Sequence, residues 1–384
     1  MKKVILATML VFILIISSVT LFACDDLEQA LNNLENDNNP ANPVDPVNPV
    51  DPANPVEEEF IYEKDGESTI YFGSYPQSQE KDTTICAALN QKAGALPTAE
   101  NKNGWTDYEY YCGGVVTSYM WYQDIEYNGA KYRGVYFTEY RPVAIDRDFT
   151  EWDSILDDDS LTEKYTSQSY FGFEKANVYW FKFEKIKWSI LNTKDGNVLI
   201  SSILSIDAQE YEPSTKNDEY EHNGGTGYAN NYALSHIRKW LNYNFYSTAF
   251  SAKQKEIIQT IEVDNSIESY GTANTHWAGA SNDKLICDNT NDKIFLLSFG
   301  EVETYYPQYA DRAANGSDYA KSQGLFTLHY EDYLGGLSLD EDGMVSDTWW
   351  ITRANNQVFY DGHWASEGRE FTWYGIRPAC WIKL

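Results

Sequence analysis

The sequence predicts an α+β fold, and three stretches carry that prediction. Between Val178 and Leu204, Tyr179, Phe181 and Phe183 alternate with Trp180, Lys182 and Glu184. Ile186, Trp188 and Ile190 continue the period-two pattern of a half-buried strand. Asp195-Gly196 supplies the positive φ angles of a tight turn, and residues 198–203 supply the return strand of a central β-hairpin. Residues 115–138 form a second hairpin about Asn128-Gly129. A helical period then governs Leu234, Ile237, Trp240, Leu241 and Phe245. Ser251, with Gln254 three residues on, opens a second helix carrying Ile257, Ile258 and Ile261. Both helices are expected to pack on the hairpin sheet.

Taken in order, the chain opens with Lys2 and Lys3 ahead of an apolar run from Val4 to Val19, closed by Leu21-Phe22-Ala23-Cys24. The run is short for a spanning helix and fits a signal peptide over residues 1–23. The closing residues resemble the lipobox of bacterial lipoproteins, with Leu21 at −3 and the small Ala23 at −1. That resemblance implies cleavage before Cys24 and a diacylglyceryl thioether on its sulfur. Two or three acyl chains hold a protein on a bilayer where one does not, so the expected partner is a membrane and the expected place its outer face. Residues 24–59 follow as a stalk. ANPVDPVNPVDPANPV repeats proline every third position, which fixes φ near the polyproline II value and removes backbone donors. Such a segment is a semi-rigid spacer without a core of its own.

From residue 60 to 384 the chain reads as one large domain, with a β-rich part at 60–177 and a core at 178–384. Ten of the 58 acids fall in the stalk and two of the 29 bases are Lys2 and Lys3, so the domain holds 48 acids and 27 bases, a net charge of −21. A duplex nucleic-acid partner is excluded on that balance, because phosphate neutralisation needs clustered Lys and Arg. Thirty Tyr and twelve Trp suit a loop-rich extracellular domain or a sugar- or protein-facing surface. Four cysteines remain after Cys24. They permit two disulfides, with Cys86–Cys112 the first pair to test by proximity in sequence, or stand as small buried thiols.

Within the domain, Ile61-Tyr62 and residues 69–72 flank an Asp65-Gly66 turn. Residues 146–168 read as an acidic surface loop and His222 to Gly227 as a flexible loop. Asp292 to Ser298 is a buried strand candidate, Gly300 to Tyr309 a short helix, and the chain closes on TWWITR, a turn at Asp361-Gly362, and WYGIRPACWIKL.

Six ordered segments then match something recognisable: YFGSYPQ at 71–77, YWFKFEKIKW at 179–188, IRKWLNYNFYSTAFS at 237–251, DKIFLLS at 292–298, the Trp349-Trp350 pair, and GIRPACWIKL at 375–384. Over residues 61–384 the chain resembles an uncharacterised domain family of bacterial surface and secreted proteins common in Gram-positive lineages. Through the closing Gly-x-Arg-Pro strand, that family is similar to the C-type lectin-like fold of formylglycine-generating-enzyme-type proteins. The resemblance implies a mixed, twisted sheet with two helices and long loops, the C-terminal strand returning beside the N-terminal one.

Candidate ligand-binding residues cluster near the C terminus: Trp349, Arg353, Asn355, Trp364, Trp373 and Tyr374. Aromatic faces stack on sugar C–H surfaces, while Arg and Asn donate to hydroxyls. Arg377, with its guanidinium against carbonyls or a carboxylate, and Trp350, Trp188 and Trp240 as core are expected to be structural. Two Asp-rich segments, 288–292 and 340–343, lack the twelve-residue calcium-loop spacing and read as solvated loops, so no cofactor or metal is expected and calcium dependence is left to experiment. There is no HExxH, GxSxG, P-loop or dinucleotide fingerprint. A glycosidase needs only two carboxylates, which 48 acids could furnish anywhere.

The function expected is therefore a lipid-anchored surface protein whose domain binds an extracellular glycan or protein without catalysis. A cell-envelope carbohydrate hydrolase is the alternative, favoured by an upward-shifted carboxylate in a cleft beside a second ionised one. A purely structural envelope protein is the third.

Overall fold

The structure, a computed structural model, is described for residues 61–108, 111–112, 115–116, 119–141, 167–211, 220–222, 225–227, 231–271, 287–325, 350–353, 356–358, 364–367 and 374–384. The expected signal, lipidated Cys24 and stalk, most of the acidic loop and the 340–343 segment lie outside those residues. The strands are β1 (Tyr62–Lys64), β2 (Thr69–Gln79), β3 (Thr106–Asp107), β4 (Tyr111–Cys112), β5 (Val115–Val116), β6 (Met120–Tyr127), β7 (Ala130–Phe137), β8 (Val178–Lys194), β9 (Asn197–Ser202) and β10 (Asp207–Gln209). They continue as β11 (Tyr220–His222), β12 (Gly225–Gly227), β13 (Ile261–Val263), β14 (Thr290–Asp292), β15 (Trp350–Ile351), β16 (Asn356–Val358), β17 (Trp364–Glu367), β18 (Tyr374–Ile376) and β19 (Ala379–Lys383). The α-helices are α1 (Thr83–Ala93), α2 (Ser167–Tyr170), α3 (His236–Trp240), α4 (Tyr246–Ala249), α5 (Ala252–Ile257), α6 (Phe299–Tyr305), α7 (Tyr309–Arg312) and α8 (Asp318–Ser322). The class is α+β.

The 17-residue β8 is the spine of an eight-stranded, curled antiparallel sheet. One of its edges pairs with β2 from Ser189 to Phe181. The other pairs with β7 along Val178–Lys182 and with β9 along Trp188–Lys194, so the β6–β7 hairpin joins the β8–β9 hairpin along β8. Both turns take the positive φ values their sequences demand, 52° and 78° at Asp195-Gly196 and 49° and 74° at Asn128-Gly129. Alternation along β8 sends successive rings to opposite faces. Trp180 joins Leu89, Trp105, Trp121 and Tyr136 beneath α1, and its Nε1 donates to Asn90 Oδ1 at 2.8 Å. Phe181, Ile186 and the fully buried Trp188 join the larger core with Ile237, Trp240, Leu241 and Phe245. Trp180 lies flat over Gly134, its cross-strand partner, where a Cβ would sit 2.7 Å from the indole.

A second, mixed sheet runs β10-β18-β15-β16-β17, with β15 and β18 parallel. Five places differ from expectation. The C-terminal β19 lies beside β9, two strands removed from β2, because the outer edge of β9 is open to Ala379–Lys383 while β1 already occupies the outer edge of β2. The helix after Ser251 keeps its capping box but ends at Ile257. Ile258 turns extended to bridge Ile382, Gln259 N donates to Trp381 O at 2.8 Å, and Ile261 enters β13, so pairing with the last strand overrides the helical period. The segment from Asp292 is buried as expected, yet only its first residue lies in a strand, β14, and beyond it Phe295 alone makes a bridge, to Ala379. His222 to Gly227, expected as a loop, contributes to the β11–β12 ribbon. The α1 helix, capped by Asp82 and stopped at Gly94, was not anticipated. Among the described residues no helix is long and apolar enough to cross a membrane.

Candidate functional site

On the face of the sheet opposite α1, β6 and β7 set a charged pair where an apolar one would serve packing better. The Asn128-Gly129 turn places Asp124 directly across from Arg133. Arg133 Nε and Nη2 donate to the two Asp124 oxygens at 2.7 and 2.9 Å, a bidentate fork that leaves Nη1 toward Tyr319 Oη at 3.5 Å. The guanidinium lies 4.4 Å from the ring centre of Tyr122, its diagonal neighbour, and 5.4 Å from that of Phe183. Burial opposes the Arg133 charge, but Tyr319, Asp124 and Tyr108 hold its pKa above the ordinary value.

Three further elements converge there. β2 brings Tyr75, just past a bulge at Gly73, whose φ of 71° and close approach to Phe250 exclude a side chain. β10 brings Asp207, and α8, capped by Ser317, brings Tyr319. Tyr75 Oη donates to Asp207 Oδ2 at 2.6 Å, while Ala208 N and Gln209 Nε2 donate to Oδ1 at 2.7 and 3.2 Å. Desolvation outweighs those bonds and the Arg133 charge, and pushes the Asp207 carboxyl up to about 6. Burial and the Asp207 charge raise the phenols of Tyr75 and Tyr319. Tyr108 and Tyr319 share a hydrogen bond of 2.8 Å.

The fourth side is the segment between α3 and α4. Residues Leu241–Phe245 form a π-helix, and its wider turn is held by Asn242. Asn242 Nδ2 donates to Arg238 O and Ile294 O, and its Oδ1 accepts from the backbone N–H groups of Lys293 and Ile294. π-turns inside α-helices recur at functional sites, and this one presents Tyr243 and Asn244 to the opening.

These elements enclose a cavity of about 450 Å³. Its floor is buried and polar: Arg133, Arg141, Asp207, Gln209, Tyr75 and Tyr319. Tyr108, Tyr122, Trp240, Thr248, His236 and Asp107 form the walls, and Thr106, Tyr243, Asn244 and Ser247 are exposed around it. Desolvation, then Lys239, push His236 down to about 4, so its half-buried imidazole is neutral at pH 7. Asp107 pairs with Lys102. A cavity of this size with aromatic walls and converging donors and acceptors has the anatomy of a small-ligand site.

The residues singled out from sequence lie elsewhere. Arg353 is buried, donating to Leu296 O at 2.8 Å, Asp264 O at 2.8 Å and Glu301 Oε2 at 3.1 Å. Tyr374 is buried in β18 opposite Gln209. Neither lines the cavity. Trp349, Asn355 and Trp373 lie outside the described residues, as does the side chain of Trp364. Arg377 is sandwiched between the rings of Tyr306 and Trp350 and donates to Ser202 O, Arg312 O and Tyr306 Oη. Trp350 and Trp188 are buried core, and Trp240 is both core and cavity wall. Cys86 carries a free thiol in α1, with Sγ 3.4 Å from Glu80 O; the side chain of Cys112, the partner expected from proximity in sequence, lies outside the described residues. Cys287 and Cys380 are free as well. Asp292, in an Asp-rich stretch, is spent on Arg238 and Thr290. Among the described residues no three His, Cys, Asp or Glu side chains converge as metal ligands.

Residues 195–384 match the model of a domain family of unknown function, DUF6273. The match takes in Asp207, the π-helix and Tyr319, but not Tyr75, Asp124 or Arg133, so the cavity is built across its boundary. No curated protein and no solved structure matches the chain.

Proposed function

We propose that this chain is a surface lipoprotein, held by acyl chains on Cys24 above its proline-rich stalk, whose large domain binds an extracellular saccharide without cleaving it. The observation that carries the binding part is the cavity over Asp207. Tyrosine and tryptophan rings wall it, while a carboxylate, amides and guanidinium groups supply the fixed donors and acceptors that hydroxyl groups need. The lipid anchor and the lectin-like kinship belong to the same proposal and rest on the sequence resemblances. A glycan array probed with the purified full-length chain tests it, beside Tyr243→Ala and Asn244→Ala at the opening. Binding that those variants lose with an unchanged melting temperature supports the cavity. Binding lost instead in Trp364→Ala or Trp373→Ala moves the site to the C-terminal loops, and no binding to any glycan removes the saccharide.

A carbohydrate hydrolase is the second reading, because Asp107 and Asp207 line one cavity and Asp207 is pushed up to about 6 there. Release of new reducing ends from a bound oligosaccharide, lost in Asp207→Asn, would promote it over the first.

A further inference from the structure

An ionised carboxylate accepts at about four lone-pair sites. In Asp207, Oδ1 accepts from Ala208 N–H and Gln209 Nε2 at 2.7 and 3.2 Å, and Oδ2 from Tyr75 O–H at 2.6 Å. No further donor among the described residues takes the remaining site, on Oδ2. Ile376, its partner across β10 and β18, brings no polar side chain. Yet Asp207 is buried and lines the cavity, so that site is filled from the cavity side. A buried charge held toward a cavity is a mark of use rather than of packing.

The groups around it keep their charge over a wide pH range. Tyr75 from β2, Tyr108 just past β3, and Tyr319 from α8 are phenols that burial holds protonated. Arg133 from β7 stays charged in its fork with Asp124 of β6. Elsewhere on the cavity Asp107 pairs with Lys102, Arg141 lies by the ring of Tyr108, and His236 of α3 stays mostly neutral down to pH 5. Asp207 itself titrates near 6.

Resting on the saccharide reading above, we propose that Asp207 fixes the ligand by accepting one of its hydroxyl groups at Oδ2, and that acid releases the ligand by protonating that oxygen. In the ionised state Oδ2 receives Tyr75 O–H and ligand O–H together. Both bonds are charge-assisted, roughly twice as strong as neutral ones. Once Oδ2 carries a proton, that hydrogen faces the ligand hydroxyl, whose own hydrogen loses its acceptor. The only covalent change is the O–H bond that Asp207 gains from solvent. A ligand that donates to the carboxylate lowers its pKa in the complex. By linkage, affinity is complete above the free-state value and falls as pH drops through it.

The test is calorimetric titration of the purified full-length chain at pH 7.5, 6 and 5 with oligosaccharides of glucose, galactose, mannose and N-acetylglucosamine, beside the glycan array. Asp207 is about 97% ionised at pH 7.5 and about 9% at pH 5, so affinity should fall about tenfold. At pH 6 binding should release about half a proton per site, read in two buffers of different ionisation enthalpy. Asp207→Asn, which cannot ionise, should lose about tenfold at pH 7.5, show no dependence on pH and release no proton. The melting temperature, expected to hold in acid and in the variant, separates release from unfolding. A flat profile, a rise in affinity in acid, or a fall that persists in Asp207→Asn overturns this inference and leaves the saccharide reading standing, as does binding confined to other glycans of the array. Binding to no glycan at any pH overturns both.

Discussion

Replacing Asp207 by Asn should stabilise this protein at neutral pH, against the usual effect of removing a hydrogen-bonded buried carboxylate. Burial raises the folded pKa from the ordinary 3.8 to about 6, and that net shift already contains the bonds from Tyr75, Ala208 and Gln209 and the charge of Arg133. The native state therefore binds a proton more tightly than the unfolded chain between about pH 4 and pH 6. Stability falls as pH rises through that window, and above 6 the full penalty remains, roughly two pKa units or about 3 kcal/mol. Asparagine keeps the shape. Its oxygen still accepts from Ala208 N–H and its amide donates to the Tyr75 oxygen, whose own O–H turns to the open cavity, so the neutral substitute removes the charge penalty. Urea unfolding at pH 7.5 and pH 4 is the assay. The variant should gain up to about 3 kcal/mol at pH 7.5 and nearly nothing at pH 4, with the same denaturant slope. Loss of stability at pH 7.5, or an equal effect at both pH values, would refute the assignment of Asp207 as a destabilising charge.

Other changes act through packing or bonds. Gly134→Ala drives a methyl group into the Trp180 ring at 2.7 Å and should cost on the order of 2 kcal/mol, read as a lower melting temperature. Arg377→Lys abandons at least two of three bonds and takes the guanidinium donor from Ser202 O or leaves Arg312 O with Trp350 Nε1 alone; about 3 kcal/mol is expected by chemical denaturation. Cys86→Ser should leave the melting temperature in non-reducing buffer within a degree or two, whereas a disulfide there would make the loss several times larger.

How far the cavity could be read in advance differs residue by residue. The Asn128-Gly129 turn fixes register, and counting outward from it pairs Asp124 with Arg133, so this half of the floor was computable from the hairpin alone. The π-helix carried no such signal: Leu241 and Phe245 keep a helical spacing, and Asn242 widens the turn only because Lys293 and Ile294 arrive beside it. Arg353 drew attention as a surface donor beside aromatic residues, yet its acceptors are the carbonyls of Leu296 and Asp264, which no local pattern announces.

What the sequence determined by itself is what depends on neighbours within about ten residues. The two hairpins, their turns, the Ser251 capping box and the alternation that sends Trp180 and Phe181 to opposite faces of β8 follow from local backbone preference and side-chain period. Tertiary structure decided the rest. Tyr75 meets Asp207 across 132 positions and Tyr108 meets Tyr319 across 211, contacts that exist only after β2, β10 and α8 have packed. The same packing ended α5 at Ile257, because an open strand edge at Ile382 offered Ile258 a better partner than another helical turn. A carboxyl near pH 6 is a property of that assembly, since it is the removal of water by distant segments that raises it.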